Sequence, residues 1–142
     1  MKTNDNIHGT CISLKNKGIL ILGSSGSGKS DLALRAIMQK GAKLVADDRV
    51  DITLKNKNLY ASCPAAIRGL LEVRGVGLVK FQSKPSQKID LVVELADSLK
   101  KIERLPVPKF YEYQGIQIKK IKLYPFELSS LEKLELALND KL

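Results

Sequence analysis

The sequence is poor in the residues that build metal clusters, disulfide frameworks and membrane spans. Its 142 residues include no tryptophan, one histidine and two cysteines, and only 5% of them are aromatic. Cys11 and Cys63 are isolated, which excludes a thiolate metal cluster and favours reduced structural thiols. No apolar run approaches the roughly 20 residues that span a bilayer, and the N-terminus lacks a hydrophobic signal segment. The sequence therefore predicts a globular cytoplasmic protein without a membrane partner.

The chain carries an excess of positive charge, with a formal net charge of +9 at neutral pH. Its lysines are spread along the sequence and are densest at residues 55–58 and 119–122. No basic segment is interleaved with aromatic residues, so the pattern does not favour nucleic-acid binding. We interpret most of this charge as solvated surface, which would also suit an acidic protein partner.

The most informative segment is a run of glycine and serine that ends in lysine. Residues 23–30 match the phosphate-binding pattern G-x-x-x-x-G-K-[ST]. In such a P-loop the backbone N–H groups wrap the phosphates, the lysine reaches the β- and γ-phosphates, and the last hydroxyl holds Mg²⁺. The predicted nucleotide-binding residues are Gly23, Ser24, Ser25, Gly26, Ser27, Gly28, Lys29 and Ser30, of which Ser30 is also a predicted Mg²⁺ ligand.

Hydrophobic periodicity places this loop between a strand and a helix. Residues 18–22 are an apolar run typical of a buried strand, and residues 30–40 carry an apolar stripe at helical spacing, with Gly41 as the helix stop. The other predicted elements are strands at 7–15, 43–46, 50–54 and 89–95, an edge strand at 116–123, a short helix at 64–71, a glycine-interrupted segment ending in a strand at 73–79, and a C-terminal helix at 128–138. This order predicts one α/β P-loop domain over residues 1–142 with a core at about 5–124.

Two adjacent carboxylates form the second chemical signal. Asp47 and Asp48 end the strand predicted at residues 43–46. A strand that ends beside a P-loop can hold one carboxylate near Mg²⁺ and another near the γ-phosphate, which is the arrangement that phosphoryl transfer requires. On an extended strand the two side chains would point to opposite sides. The alternative interpretation is a charged strand end at a turn.

Four further residues are weaker candidates. His8 precedes a strand that could pair with the P-loop strand, although a lone histidine is more often structural. Glu72 could support Mg²⁺ and Arg74, two residues later on a shared strand face, could contact phosphate, although an ion pair at a turn fits equally well. Arg104 could contact phosphate from a loop, but a solvated charge is the simpler interpretation.

Taken together, these segments resemble the HPr kinase/phosphorylase family. The resemblance rests on the order of five segments, which are His8-Gly9, the P-loop, residues 46–50 (ADDRV), residues 71–77 (LEVRGVG) and residues 103–105 (ERL). It covers roughly residues 5–124 and is closest to the short form found in some alphaproteobacteria. It implies an ATP- and Mg²⁺-dependent enzyme with a mixed-sheet P-loop fold that phosphorylates a serine of the phosphocarrier protein HPr and removes that phosphate by phosphorolysis.

The resemblance also implies roles for individual residues. Asp48 would be the general base for phosphorylation and the general acid for the reverse reaction, and Asp47 would assist it. His8, Lys29 and Arg104 would be the other catalytic residues, and Ser30 and Glu72 the Mg²⁺ ligands. The family's assembly implies a homo-oligomer, a hexamer. The chain departs from the longer members after Leu123, because no arginine follows Arg104. The phosphorolysis activity and the hexamer are therefore open expectations.

Two other functions fit the same P-loop. The first is a small-molecule kinase or general NTPase, which a helical lid carrying several arginines would favour and which this sequence does not display. The second is a non-catalytic module that senses nucleotide and regulates a partner. The presence of both Lys29 and Asp48 favours a catalytic protein over a sensor.

Overall fold

The computed structural model describes residues 3–139, with side chains from residue 5 onward. Two α-helices lie in this part of the chain, α1 over Lys29–Lys40 and α2 over Ser130–Leu138. The strands are β1 Thr3–His8, β2 Thr10–Leu14, β3 Lys17–Leu22, β4 Lys43–Ala46, β5 Arg49–Lys55, β6 Asn58–Ser62, β7 Leu70–Val73, β8 Gly77–Lys80, β9 Ser86–Leu95, β10 Lys109–Tyr113 and β11 Ile116–Leu123. Short 3₁₀ helices lie at Ala65–Ile67 and Leu99–Lys101. No helix within residues 3–139 is long and apolar enough to cross a membrane.

The long strand β9 organises the mixed sheet. Its first residues pair antiparallel with β6, which continues to β5 and β1. Its later residues pair in parallel with β3 on one side and with β11 on the other. From β3 the sheet continues antiparallel to β2 and then to β4. The sheet therefore divides at β9 into two leaves, and β7 and β8 form a separate hairpin.

Alternating side chains of the central strands bury two cores. On one face Ile19 and Ile21 of β3 pack with the apolar stripes of α1 and α2, including Leu32 and Leu134. On the opposite face Leu20 lies among buried residues of β5 and β6. Because consecutive side chains of a strand point to opposite faces, one apolar strand can serve both cores. The fold therefore has three layers, which are the two helices, the leaf that contains β3 and the leaf that contains β5 and β6.

The predicted mixed-sheet α/β P-loop fold is confirmed, and several element predictions need correction. The strand predicted at 7–15 is two strands, since the chain passes from one leaf to the other at Gly9, whose N–H donates to the Asp48 carbonyl at 3.1 Å. The prediction of a short helix at 64–71 is wrong except for one 3₁₀ turn, because the chain enters strand β7 at Leu70. The strand at 116–123 is not an edge strand, because β10 pairs with it and lies outside it.

Strand directions bring the predicted site residues to one edge of the sheet. Strand β2 runs antiparallel to both β3 and β4, so β3 and β4 end at the same edge at which β2 begins. The parallel strands β9 and β11 also end there. In open α/β sheets this edge, at the carboxyl ends of the parallel strands, is where ligands bind.

We expect Gly18→Ala to destabilise the fold, because Gly18 lies where β3 approaches β9 too closely for a side chain. A Cβ atom at this position would lie 2.2 Å from the Lys88 carbonyl oxygen and 2.9 Å from Cγ of Gln87. The paired backbones of β3 and β9 cannot move apart without weakening the sheet. We therefore expect the free energy of unfolding, measured by urea denaturation, to fall by about 1–3 kcal/mol. The control is Lys17→Ala, which truncates an exposed side chain one residue earlier. This substitution should change the free energy of unfolding by less than about 0.5 kcal/mol. Equal stability of the two variants would contradict the close approach.

Candidate active site

The P-loop leaves β3 at Leu22 and enters α1 at Lys29, as the sequence predicts. Gly28 is the N-cap residue of α1, with φ of 106°, and no side chain caps the helix. The first N–H groups of an α-helix have no partner within the helix, and the helix dipole makes this end electropositive. The beginning of α1 is therefore open to an anion that approaches along the loop.

The side chain of Lys29 is held inside the P-loop. The residue is only 7% exposed, and its Nζ donates to the carbonyl oxygens of Gly23 at 2.8 Å and Ser24 at 3.0 Å. The hydroxyl of Ser27 is buried in the same loop and has no hydrogen-bond partner among the described residues. A loop that contains both a buried hydroxyl without a partner and an ammonium group suits phosphate, because phosphate oxygens could accept hydrogen bonds from both.

A hydrogen-bond network links the loop to the end of β4. Ser30 Oγ donates to Asp47 Oδ1 at 2.8 Å, and Thr10 Oγ1 donates to the same oxygen at 3.0 Å. Thr10 is fully buried at the beginning of β2. Thr10 is not among the site residues that the sequence predicts, and its one signal in the sequence is its position directly after His8-Gly9. The two hydroxyl groups fix the Asp47 carboxylate beside the residue predicted to bind Mg²⁺.

The Asp48 side chain contacts a different partner, and its backbone forms a tight turn. Its Oδ1 lies 3.0 Å from Nε2 of His8, and its side chain is 76% exposed. The φ of Asp48 is 66°, and the Arg49 N–H donates back to the Asp47 carbonyl at 2.7 Å. This i to i+2 hydrogen bond around a positive φ is the pattern of a rare, strained γ-turn. The two carboxylates therefore diverge because of a turn, and the expectation that they alternate along an extended strand is wrong.

A cavity of about 420 Å³ opens beside these residues. Its polar wall contains Ser30, Asp47, Asp48 and Glu72. Apolar residues of β4, the 3₁₀ turn and the β7–β8 hairpin form much of the rest, namely Leu44, Ala46, Ile67, Leu70 and Leu78. An open pocket in which a few carboxylates converge beside apolar residues is suited to bind a ligand that carries polar groups.

The structure does not bring all predicted site residues together. Glu72 is exposed on β7 and faces the cavity, and His8 reaches the site through Asp48. Arg74 lies in the turn between β7 and β8, so the expectation that it shares a strand face with Glu72 is wrong. Arg104 is exposed in the loop between the second 3₁₀ helix and β10 and is not part of the cavity wall.

The oxygen donors of this cavity suit a metal ion that is bound partly by the protein and partly by phosphate. Ser30, Asp47 and Glu72 offer a hydroxyl and two carboxylates, which are hard ligands. Within the described residues, no group of three His, Cys, Asp or Glu side chains is arranged to hold a metal by itself. Mg²⁺ is usually held by one or two carboxylates together with substrate phosphates and water, so this donor set suits Mg²⁺ with a nucleotide.

Cys63 lies in the cavity wall but is not suited to act as a nucleophile. Burial raises the pKa of its thiol, and the nearby Arg68 offsets this effect only in part. Because the thiolate is the reactive form, a thiol that stays protonated at neutral pH is inert. Both cysteines are free and buried, which fits the interpretation of structural thiols.

We expect Thr10→Val to raise the Mg²⁺ concentration that the protein requires. Valine keeps the shape of the side chain but removes the hydroxyl that donates to Asp47. Loss of a partner that orients a metal ligand typically costs about 10- to 100-fold in metal affinity or activity. The measurement is the Mg²⁺ concentration at half-maximal phosphoryl transfer, with Thr10→Ser as the control that restores the hydroxyl. Wild-type Mg²⁺ dependence in the valine variant would contradict the positioning role.

Sequence comparison identifies relatives of this chain. Residues 1–127 match the profile of the family described as HPr Serine kinase C-terminal domain. A protein of Caldicellulosiruptor bescii named HPr kinase/phosphorylase is 38% identical over 122 residues, which cover 78% of this chain and 39% of that protein. A protein of the same name from Listeria welshimeri is 34% identical over 133 residues, covering 88% of this chain and 40% of that protein. The chain thus spans about two fifths of the length of these relatives.

A solved structure shares the whole fold. It is titled a structure of the Hpr(Ser) kinase/phosphatase from Coxiella burnetii, and it matches with a TM-score of 0.82 at 25% sequence identity. The match covers 96% of both chains. The arrangement of leaves and helices described above is therefore the arrangement of that protein.

Proposed function

The chain belongs to the HPr serine kinase C-terminal domain family, and we propose that it transfers the γ-phosphoryl group of ATP to a serine of an HPr-like phosphocarrier protein. The observation that carries this proposal is the contact of Asp47 with Ser30 beside the exposed carboxylate of Asp48. Ser30, Asp47 and Asp48 line one cavity, which supports the proposal that the nucleotide–metal end and the proton acceptor belong to the same site. The exposed Asp48 side chain leaves room for an acceptor as large as a protein.

In the proposed reaction Asp48 accepts the proton of the acceptor serine. The serine oxygen forms a bond to the γ-phosphorus as the bond between that phosphorus and the β-bridging oxygen breaks. A serine hydroxyl is a weak nucleophile, so a carboxylate within hydrogen-bond reach contributes about 10²–10⁴-fold to the rate. His8 contacts the carboxylate at Oδ1, and Oδ2 would be the oxygen that takes the proton.

The remaining residues bind and orient the nucleotide. The P-loop N–H groups and Lys29 would hold the phosphates, and Ser30, Asp47 and Glu72 would hold Mg²⁺. When bound, Mg²⁺ supplies positive charge that neutralises the β- and γ-phosphates. Arg104 would have to approach the phosphates by movement of its loop, in the way that many kinases close over their substrates.

The same residues could move the phosphoryl group in the opposite direction, from phosphoserine to inorganic phosphate instead of to ADP. In phosphorolysis, inorganic phosphate attacks the phosphoserine, pyrophosphate is released, and Asp48 returns its proton to the serine oxygen. We propose this second activity for the same site, with a homo-oligomer, a hexamer, as the expected assembly and the cytoplasm as the expected compartment. We propose no nucleic-acid or membrane partner.

Intact-mass spectrometry of HPr after incubation with the chain, ATP and Mg²⁺ tests the proposal. We expect one phosphate to be added to HPr, and added inorganic phosphate to remove it with release of pyrophosphate. ATP hydrolysis without transfer would favour a general NTPase. Tight ATP binding with neither transfer nor hydrolysis would favour a nucleotide sensor. Either result would overturn the proposed kinase.

A further inference from the structure

One ring of an aromatic pair lies against the P-loop, outside the cavity that the carboxylates line. Tyr124 and Phe126 directly follow β11, and their rings meet edge to face with centroids 5.8 Å apart. A Cβ atom on Gly28 would lie 3.0 Å from Cζ of Phe126 and 3.1 Å from Cγ of Pro125. The rim of the Phe126 ring therefore touches the last glycine of the phosphate loop.

The segment that carries this ring is firmly held. Arg35 of α1 donates from Nη1 to the Ser130 hydroxyl at 2.8 Å and from Nη2 to the Pro125 carbonyl. Ser130 is fully buried at the beginning of α2. The same helix that begins at the P-loop thus fixes the position of Phe126, so the ring is preorganised relative to the phosphates.

Phe126 is nevertheless 57% exposed, although it is a large apolar side chain beside a polar loop. Cζ and Cε1 of the ring lie nearest to Gly28, and more than half of the residue remains open to solvent. An exposed aromatic face has an apolar surface that water solvates poorly and that a planar partner can cover. Burial against the protein does not explain the position, and a flat ligand would.

The direction of a bound nucleotide decides which ligand group reaches this ring. Asp47 and Asp48 line the cavity on one side of the loop, and Phe126 is not part of that cavity. In the proposed function the γ-phosphate points toward those carboxylates. The α-phosphate and the nucleoside would then extend away from that cavity, and Phe126 borders the loop at Gly28, outside the cavity.

We propose, on the basis of the proposed function, that Phe126 is the nucleobase platform of this protein and stacks on the purine ring of the nucleoside triphosphate. Stacking on an aromatic side chain contributes to affinity without reading the base edge, since every base has a π-face. The platform therefore binds adenine and guanine with similar affinity.

Two phosphate probes separate stacking from phosphate binding. Isothermal titration calorimetry with Mg²⁺ compares ATP with inorganic tripolyphosphate, which has the phosphates but no base. We expect Phe126→Ala to weaken ATP binding about tenfold and to leave tripolyphosphate binding unchanged. The control is Leu128→Ala, which removes a fully exposed apolar side chain two residues later and should change neither affinity.

A second variant gives a direct signal. Phe126→Trp would be the only tryptophan of the chain, and its fluorescence should be quenched by ATP and by GTP but not by tripolyphosphate. Equal weakening of ATP and tripolyphosphate in Phe126→Ala, or unchanged ATP binding, would overturn the platform while leaving the P-loop function standing. Failure of the wild-type chain to bind either probe would overturn the proposed function as well.

Discussion

Asp48→Asn is expected to lower phosphoryl transfer to HPr by about 10²–10⁴-fold while ATP binding is retained. Asparagine keeps the size of the side chain and can still contact His8, but it cannot accept the serine proton. It also tolerates the positive φ of residue 48 better than most residues, so the turn after β4 should survive. The measurement is kcat for HPr phosphorylation beside the Kd of ATP.

A neighbouring carboxylate provides the matched control for this prediction. Asp51 accepts a hydrogen bond from Asn6 at 2.7 Å between β5 and β1 and does not line the cavity. Asp51→Asn should leave the rate of transfer unchanged. Undiminished transfer in Asp48→Asn would remove Asp48 from the role of general base, and loss of ATP binding would indicate a structural role instead.

Lys29→Met is expected to have the second large effect, on binding and on transfer together. Methionine can replace the aliphatic part of the side chain but not the ammonium group, which is the only charge inside the P-loop. Loss of a hydrogen bond to a charged group should weaken ATP binding about 10- to 100-fold. Transfer should fall by about 100-fold or more beyond that, because the charge that develops in the transition state loses its partner.

The same substitution at the other end of α1 controls for a change in the helix. Lys40 pairs with Glu135 of α2 at 2.9 Å, far along the helix from the P-loop. Lys40→Met should bind ATP and transfer phosphate as the wild type does. If Lys29→Met also behaves as the wild type, the P-loop is not the phosphate site and the proposed function fails.

The parts of the fold that could be predicted are those that local sequence determines. The apolar run before the P-loop, the helical stripe after it and Gly41 at its end are short-range patterns, and α1 is observed at Lys29–Lys40 with Gly41 as its C-cap residue at φ of 72°. The proposed nucleotide end of the site rests on the same run of residues. The two carboxylates predicted at the end of β4 lie beside Ser30 in one cavity, as their position after the strand indicates.

The parts that could not be predicted depend on contacts between distant residues. Strand β10 has no fully buried residue, so its five residues form no apolar run that would predict a strand, and its pairing with β11 determines which strand is the edge. The γ-turn at Asp48 depends on the antiparallel return of the chain into β5 beside β1. Thr10 becomes a partner of Asp47 only because β2 begins at the edge where β4 ends.

The most direct test of the central claim is a time course of intact HPr mass with the wild-type chain and with Asp48→Asn, at equal ATP and Mg²⁺ occupancy. The account predicts that the wild-type chain adds one phosphate to a serine of HPr and that the variant binds ATP but adds almost none. Phosphate addition at the same rate by both proteins, or by neither, would contradict it.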